Sequence, residues 1–261
     1  PAQEGCTTFA VVYFLWKARF DPGNILYVTA NVDLARDKAE ETFKPMIEGS
    51  PEIAAELVDD RHNLNALRFQ FKKCTWYNAG GNSAKGLASK PVPYIILDEE
   101  NKYDQDNEEG DQSELAIERT NTFHNRKIIR PCTPRTKKSR GYRAFMQGDQ
   151  RRFFVPCPHC GHRQRLEHKQ VVWPQDVQPM QAAEQARYRC ASEPCGALWT
   201  DQERVAAIHA ARHLPDYGWI PTAEPMERGI TSFQFSKLAN PHVTLSAYVS
   251  KWLRSQQSKE L

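Results

Sequence analysis

Two adjacent carboxylates that directly follow a short apolar run are the residues best suited to catalysis in this 261-residue chain. The run 94–97 (Tyr-Ile-Ile-Leu) contains no charged residue and is followed by Asp98, Glu99 and Glu100. Such a run predicts a strand buried on both faces, as in parallel sheets, which bind ligands beyond the carboxyl ends of their strands. One carboxylate could hold Mg²⁺ while its neighbour orients or deprotonates the water that attacks a nucleotide phosphate. The alternative is a structural strand that ends in a solvated acidic turn.

A second set of residues suited to phosphate chemistry lies at the start of the chain. Gly5 and the pair Thr7 and Thr8 precede a helix-like segment at 9–20. In such a loop, backbone N–H groups and the helix N-terminus face an anion, and the Thr7 hydroxyl would reach Mg²⁺. The usual phosphate-loop pattern G-x-x-x-x-G-K-[ST] is not satisfied, because Cys6 occupies the lysine position and the first glycine is missing. An ordinary helix N-cap therefore accounts for these residues equally well.

Four of the seven cysteines form two close pairs, Cys157-x2-Cys160 and Cys190-x4-Cys195. Each pair would place two thiolates at a tight turn, and four thiolates complete a tetrahedral structural zinc site. The 29 residues between Cys160 and Cys190 exceed the usual spacing of a zinc ribbon, although strand-like segments flank both pairs. The odd cysteine count argues against a secreted disulfide scaffold. We therefore predict one Zn²⁺ site, with free thiols throughout as the alternative.

The elements that would position these residues alternate between strand and helix, which is typical of an α/β fold. A short strand at 127–129 ends just before Arg130, and Thr133 follows it at the position where a small polar residue can sense a nucleotide phosphate; a simple proline-bounded turn is the alternative. We predict an α/β fold with a mostly parallel sheet and flanking helices, with strands at 25–30, 94–97, 127–129 and 230–235 and helices at 9–20, 33–48, 200–213 and 245–253.

Charged residues are distributed unevenly, although the net charge is only +3. Residues 98–118 contain ten acids and one base, whereas residues 119–152 contain eleven bases and one acid. This contrast predicts an acidic surface beside a basic one that could bind phosphates, with two merely solvated surfaces as the alternative. No apolar run approaches the roughly 18 residues of a membrane-spanning helix, and no signal peptide is visible.

Taken in order, these motifs resemble the large terminase subunit of tailed phages, in the GpA-type family. The resemblance extends over essentially the whole chain. The segments that carry it are Pro1-Ala-Gln3-x-Gly5-x-Thr7, the loop 83–89 that leads into Asp98-Glu99, Cys132-Thr133-Pro134, Gly148-Asp-Gln-Arg-Arg152 before the first cysteine pair, Tyr188-x-Cys190 with Cys195-Gly196, and Gly229-Ile-Thr-Ser-Phe-Gln-Phe235.

The resemblance implies a P-loop NTPase fold of the ASCE class with a small zinc-ribbon-like insertion. It divides the chain into an ATPase core (1–152), a zinc-ribbon-like subdomain (153–200) and a C-terminal part of the motor domain (201–261). It implies ATP, Mg²⁺ and Zn²⁺ as cofactors. The residues implied are Gln3, Gly5, Cys6, Thr7, Thr8 and Asp98 (the Walker B residue) for ATP and Mg²⁺, Glu99 for catalysis, Cys132, Thr133 and Pro134 for coupling hydrolysis to movement, and Cys157, Cys160, Cys190 and Cys195 for metal.

The resemblance further implies an ATPase that drives double-stranded viral DNA into procapsids in the host cytoplasm and, in full-length members, cuts that DNA. The implied partners are the small terminase subunit, the portal protein and further copies in a ring. The missing lysine, nuclease domain and first strand suggest a fragment, with the lysine before Pro1. Arg130, Arg135 and Arg140 are candidates for an arginine finger. The alternatives are a zinc-ribbon nucleic-acid-binding protein with a decayed, non-hydrolysing ATPase core, and a helicase or transposition ATPase.

Overall fold

The chain divides after Arg143 into two units, each with its own hydrophobic core. The computed structural model describes residues 5–58, 64–82, 91–103, 110–134 and 136–257. The predicted site residues Gln3 and Arg135 and the loop 83–89 lie outside these residues.

The first unit is built on a six-stranded sheet with the order β2-β3-β4-β1-β5-β6. Strand β1 pairs in parallel with β4 and β5, and β5 pairs in parallel with β6, whereas β2 and β3 are antiparallel. The predicted α/β fold with a mostly parallel sheet is therefore confirmed. The strands are β1 (Ile25–Thr29), β2 (Leu64–Asn65), β3 (Arg68–Gln70), β4 (Thr75–Gly80), β5 (Tyr94–Leu97) and β6 (Lys127–Ile129).

The helices of this unit include one that changes its hydrogen-bonding pattern. The predicted helix at 33–48 is observed as α2, a π-helical turn at Ala39–Phe43, and α3. Pro45 explains the wide turn, because it has no N–H to donate to the carbonyl of residue 41 and its ring would clash with that carbonyl in a regular helix. The helices are α1 (Cys6–Phe20), α2 (Val32–Lys38), α3 (Lys44–Glu48), α4 (Pro51–Ala54), α5 (Gln112–Glu118) and α6 (Arg140–Gln147), the last of which continues past Arg143.

Strand β5, which lies between β1 and β6, is buried on both faces, and this accounts for its unbroken apolar sequence. Tyr94 and Ile96 belong to the core cluster that includes Phe14 of α1. Ile95 and Leu97 belong to the cluster on the other face, which includes a residue of α5. Because side chains alternate along a strand, Asp98, two positions beyond Ile96, is directed toward the face that carries Phe14.

The second unit contains two three-stranded antiparallel sheets, with the orders β12-β7-β8 and β11-β10-β9. Its core includes Trp199, Tyr188, Cys157 and Cys190; Cys195 packs against this core, and Cys160 is exposed. The elements are β7 (Arg152–Pro156), β8 (Arg163–Arg165), β9 (Val171–Val172), α7 (Pro179–Glu184), β10 (Arg187–Arg189), β11 (Leu198–Trp199), α8 (Asp201–Ala210), β12 (Gly218–Ile220) and α9 (Leu245–Gln257), with 3-10 turns at His168–Gln170 and Lys237–Ala239; a further 3-10 turn, Glu100–Lys102, belongs to the first unit.

Helix α8 begins with a capping box in which Thr200 and Glu203 exchange hydrogen bonds. The next turn carries Arg204, which is fully buried. Its guanidinium donates to the Asp201 carboxylate at 2.8 Å. It also donates to three carbonyls of the segment before α9, those of Leu238, Asn240 and Val243, the last at 2.6 Å. Arg204 thereby joins α8 to the loop 238–243.

The prediction of a strand at 230–235 is wrong. In the structure a single parallel bridge joins Arg151 to Phe233. Ser232 instead uses its polar groups on the turn after α6, where its hydroxyl accepts from the Gln150 N–H at 3.0 Å and its own N–H donates to the Asp149 carboxylate at 3.0 Å. A Cβ atom at Gly148 would lie 2.5 Å from the Ser232 hydroxyl oxygen, so this close approach requires glycine.

Within the part of the chain that the structure describes, no helix is long and apolar enough to cross a membrane.

Trp76 provides a test of the first core. Its side chain is fully buried against Phe43 and Phe69, and its indole N–H donates to Asn78 at 2.8 Å. Trp76→Ala should lower the free energy of unfolding by about 3–5 kcal/mol, measured by urea denaturation followed by circular dichroism. Trp16→Ala on α1 is the control, because Trp16 is 48% exposed and should lower the free energy of unfolding by only about 1–2 kcal/mol. Equal losses for the two variants would contradict this account of the core.

Candidate functional site

The predicted residues Thr7 and Asp98 are in direct contact although 91 positions separate them. The Thr7 hydroxyl donates to Asp98 Oδ1 at 2.7 Å. Asp98 lies two positions beyond Ile96, so the alternation of β5 directs its carboxylate to the face that α1 covers. The backbone N–H of Asp98 also donates to the Val28 carbonyl at 2.8 Å, which extends the pairing of β5 with β1. The first turn of α1 and the tip of β5 thus meet at one carboxylate.

The second oxygen of this carboxylate is held by a residue that the sequence analysis did not select. The Tyr27 hydroxyl donates to Asp98 Oδ2 at 2.7 Å. Tyr27 is fully buried, and this burial, with the negative charge of Asp98, raises its pKa well above the ordinary value. The phenol therefore stays protonated and donates at any physiological pH. In the sequence Tyr27 looks like one more core aromatic of a buried strand, and only the pairing of Tyr27 with Ile96 shows that it lies next to Asp98.

The N-terminus of α1 leaves its first backbone N–H groups without partners inside the helix. Gly5 precedes the helix in a left-handed conformation (φ 74°), contributes no side-chain cap, and the first turn carries no acidic residue. Cys6 and Thr7 are partly buried there, whereas Thr8 is exposed. This arrangement offers donors to an anion, beside a carboxylate that could hold a metal ion.

Glu99 and the motif 132–134 are also brought together. The Thr133 hydroxyl donates to Glu99 Oε1 at 3.2 Å, and the Glu99 N–H donates to the Pro131 carbonyl at 2.9 Å. Glu99 has a left-handed backbone (φ 53°), and Lys102 lies 3.7 Å from its other carboxylate oxygen. Cys132 is partly buried, and burial raises its thiol pKa to about 11; Pro134 is exposed.

The third carboxylate of the acidic run has a structural partner. Glu100 is fully buried, and the Arg130 guanidinium contacts its carboxylate at 2.7 Å. Arg140 binds the Asp111 carboxylate at 3.0 Å. Burial opposes ionisation of Asp111, but the Ser113 N–H and Arg140 outweigh it and lower its pKa. Two of the three candidate arginine fingers, Arg130 and Arg140, are therefore engaged within this unit.

Asn101 connects the turn after Glu99 to the start of α6. Its side-chain amide donates to the Thr133 carbonyl at 3.0 Å, and its side-chain oxygen accepts from the Gly141 N–H at 3.0 Å. A Cβ atom at Gly141 would lie 2.6 Å from the Cys132 sulfur, so α6 packs closely against the motif at 132–134. Asn101 could not be selected from the sequence, because nothing in its local pattern indicates this bridge.

The four cysteines predicted to bind metal converge in the second unit. Their sulfur atoms lie within 4.8 Å of one another. The sulfurs of Cys157 and Cys195 are 4.0 Å apart, and those of Cys160 and Cys190 are 3.9 Å apart. A tetrahedral zinc site with zinc–sulfur bonds of about 2.3 Å has sulfur–sulfur separations of about 3.8 Å, whereas a disulfide bond is about 2.05 Å long. The donor set and its spacing therefore fit Zn²⁺.

Backbone N–H groups surround this sulfur cluster. Burial opposes ionisation of Cys157, but the N–H groups of Cys160 and His159 outweigh it and lower the thiol pKa. Burial raises the thiol pKa of Cys190 to about 12. The imidazole of His159 contacts the Glu203 carboxylate at 3.1 Å. The ligand atoms that lie together at this site are the four cysteine sulfurs.

Comparison with known proteins adds independent information. The family model for the ATPase domain of the phage terminase large subunit gpA matches residues 1–219. A protein named terminase, large subunit, from Enterobacteria phage P21 is 31% identical over 145 residues, which cover 53% of this chain. The aligned region spans only 22% of that relative's length. No solved structure matches the chain. Because the family model covers most of the sequence, this chain belongs to the ATPase-domain family of phage terminase large subunits, as its motifs predicted.

Proposed function

We propose that this chain is the ATP-hydrolysing motor part of a viral terminase and that it binds ATP and Mg²⁺ between residues 3–8 and Asp98. The observation that carries this proposal is the 2.7 Å hydrogen bond between Thr7 and Asp98. A threonine hydroxyl at a helix N-terminus, bonded to a carboxylate at the tip of an interior strand, is the combination that holds Mg²⁺ in P-loop NTPases. The assignment of Gln3, Gly5, Cys6 and Thr8 to the phosphates, and of the P-loop fold of the ASCE class, is part of the same proposal.

The side chains would divide the chemistry between them. Thr7 and Asp98 would hold Mg²⁺, which when bound neutralises charge on the phosphates. Glu99 would orient or deprotonate the attacking water, because it is partly exposed and lies 3.7 Å from Lys102, whereas Glu100 is fully buried and paired with Arg130 at 2.7 Å. The Thr133 hydroxyl donates to Glu99, so a movement of that carboxylate during hydrolysis would shift Thr133 and, with it, the motif 132–134.

Coupling of hydrolysis to movement would begin at this contact. Asn101 joins the Thr133 carbonyl to the first turn of α6. A change at Glu99 that moved Thr133 would therefore also displace α6. The displacement would be transmitted by the two hydrogen bonds of Asn101 and by the close packing of Gly141 on Cys132. We assign the coupling role to Cys132, Thr133 and Pro134 on this basis.

The biological setting follows from the family. The motor would move double-stranded viral DNA into procapsids in the host cytoplasm, with the small subunit, the portal protein and a ring of copies as partners, and the full-length protein would also cut the DNA. The eleven basic residues within 119–152 support binding to the DNA backbone. The proposed organisation remains an ATPase core at 1–152, a zinc-ribbon-like subdomain at 153–200, and a further motor part at 201–261.

Cys6 supports a second candidate function. It stands where a phosphate-binding lysine is usual, so a zinc-ribbon nucleic-acid-binding protein with a decayed, non-hydrolysing core is the alternative. The two candidates differ in whether the full-length protein turns over ATP.

We also propose that Cys157, Cys160, Cys190 and Cys195 hold a structural Zn²⁺. The support is the sulfur–sulfur spacing of 3.9–4.0 Å together with the complete set of four thiols. The two pairs are contributed by separate segments of the second unit, so a metal ion would join the turn after β7 to the turn after β10.

Glu99→Gln tests the motor proposal. In the full-length protein it should reduce steady-state ATP hydrolysis by about 10²–10⁴-fold while ATP binding is retained, because the amide cannot accept a proton from water. Glu118→Gln, an exposed acid at the end of α5, is the matched control and should hydrolyse ATP like the wild type. Unchanged turnover in Glu99→Gln would remove Glu99 from its role, and a wild-type protein that never hydrolyses ATP would favour the decayed-core alternative.

Removal of one thiol tests the metal proposal. The purified protein should contain about one zinc per chain by elemental analysis. Cys190→Ser should lose that zinc and expose residues 153–200 to limited proteolysis, because the two turns are no longer tied together. Cys74→Ser, which changes a buried cysteine of the first unit, should retain zinc. Wild-type protein without zinc, or full retention in Cys190→Ser, would refute the site.

A further inference from the structure

We infer that Tyr27 is a positioning residue for the metal-binding carboxylate: its hydroxyl fixes the orientation of Asp98 and thereby sets the affinity of the site for a divalent cation. This inference rests on the proposed function, because it assigns Tyr27 to the same Mg²⁺ site. None of the phosphate-loop, carboxylate or coupling motifs includes Tyr27.

The contact geometry is the first argument. Asp98 accepts one hydrogen bond on each oxygen, from Thr7 on Oδ1 and from Tyr27 on Oδ2, and both are 2.7 Å long. Two short bonds to different oxygens define the plane of a carboxylate, since rotation about its terminal bond would break both. Hydrogen bonds of this kind to a metal-binding carboxylate are known to orient it and to tune the affinity of the metal.

The rigidity of Tyr27 is the second argument. Its ring is fully buried and packs edge-to-face on Phe43 with ring centroids 4.8 Å apart. The ring lies in the middle of β1, which pairs in parallel with β4 on one side and β5 on the other. A ring packed in this way can direct its hydroxyl to only one place, so the donor stays fixed.

The difference between the two donors is the third argument. Thr7 is partly exposed at the start of a helix, and its hydroxyl is itself a proposed metal ligand. It can exchange its bond with Asp98 for a bond to the cation. The Tyr27 hydroxyl is buried beneath the carboxylate and cannot become a ligand in this way. Tyr27 therefore holds Asp98 while the contacts of Thr7 change, and it leaves Oδ1 directed toward the incoming cation.

The test is Tyr27→Phe, which keeps the ring and removes the donor. Binding of Mn²⁺ in the presence of a non-hydrolysable ATP analogue, followed by electron paramagnetic resonance, should weaken by about 10–100-fold. Binding of the analogue without a divalent cation should be unchanged. The matched control is Tyr94→Phe, since Tyr94 is also fully buried in this core but donates to the Asp21 carbonyl at 3.1 Å, and it should bind Mn²⁺ like the wild type.

The possible outcomes separate this inference from the proposed function. If the wild-type full-length protein fails to bind Mn²⁺ with the analogue, the proposed function is wrong. If the wild type binds and Tyr27→Phe binds equally well, the inference about Tyr27 is overturned and the hydroxyl is only a satisfied core group. In the background of Asp98→Asn, Tyr27→Phe should cause no further loss, because Tyr27 acts through Asp98; additive losses would also overturn the inference.

A second measurement applies if Tyr27→Phe does not fold by circular dichroism. Incorporation of 3-fluorotyrosine at position 27 preserves the ring and the hydroxyl but makes the phenol a stronger hydrogen-bond donor. Affinity for Mn²⁺ should then change, whereas the same replacement at position 94 should leave it as in the wild type. An unchanged affinity at position 27 would contradict the positioning role.

Discussion

The hydrogen bond between Thr7 and Asp98 is the contact on which the candidate site depends. It joins the first turn of α1 to the tip of the most buried strand, and two features of the fold make it possible. The alternation of β5 directs Asp98 toward the helix-covered face, and the packing of Phe14 on Tyr94, with ring centroids 5.5 Å apart, fixes α1 over that strand. The polar pair is therefore held by apolar packing several residues away, in a core that excludes water from one side of the carboxylate.

The same turn separates three consecutive carboxylates into different environments. Asp98 is almost completely buried and bonded to hydroxyl groups, Glu99 is partly exposed and bonded to Thr133, and Glu100 is fully buried beside Arg130. The left-handed backbone at Glu99 contributes to this, because it turns the chain between two buried acids. A conformation that is uncommon for a residue with a side chain is sustained here by the surrounding bonds.

Much of the fold could be predicted from the sequence, since an unbroken apolar run such as 94–97 or 25–28 has few stable environments other than an interior parallel strand. The strand predicted at 230–235 does not form, because the hydroxyl and N–H groups of Ser232 are hydrogen-bonded to Gln150 and Asp149 in the turn at 148–151 and not to a neighbouring strand. Thr7, Asp98 and the four cysteines could be selected because their residue types and spacing suit metal chemistry. Tyr27 and Asn101 could not, because their contacts depend on the register of strands and on a loop far away in the sequence.

The convergence of the four sulfurs also bears on how such a cluster tolerates changes in chain length. Each cysteine pair lies in a tight local turn, whereas the intervening chain crosses an exposed stretch at 175–178, before α7, and then returns. For a flexible connection, doubling its length costs only about 0.6 kcal/mol of closure entropy. Residues could therefore be inserted or deleted in that stretch with little effect on the meeting of the two turns. The separation between the pairs is then a poor guide to the presence of the cluster, and the geometry within each pair is the informative quantity.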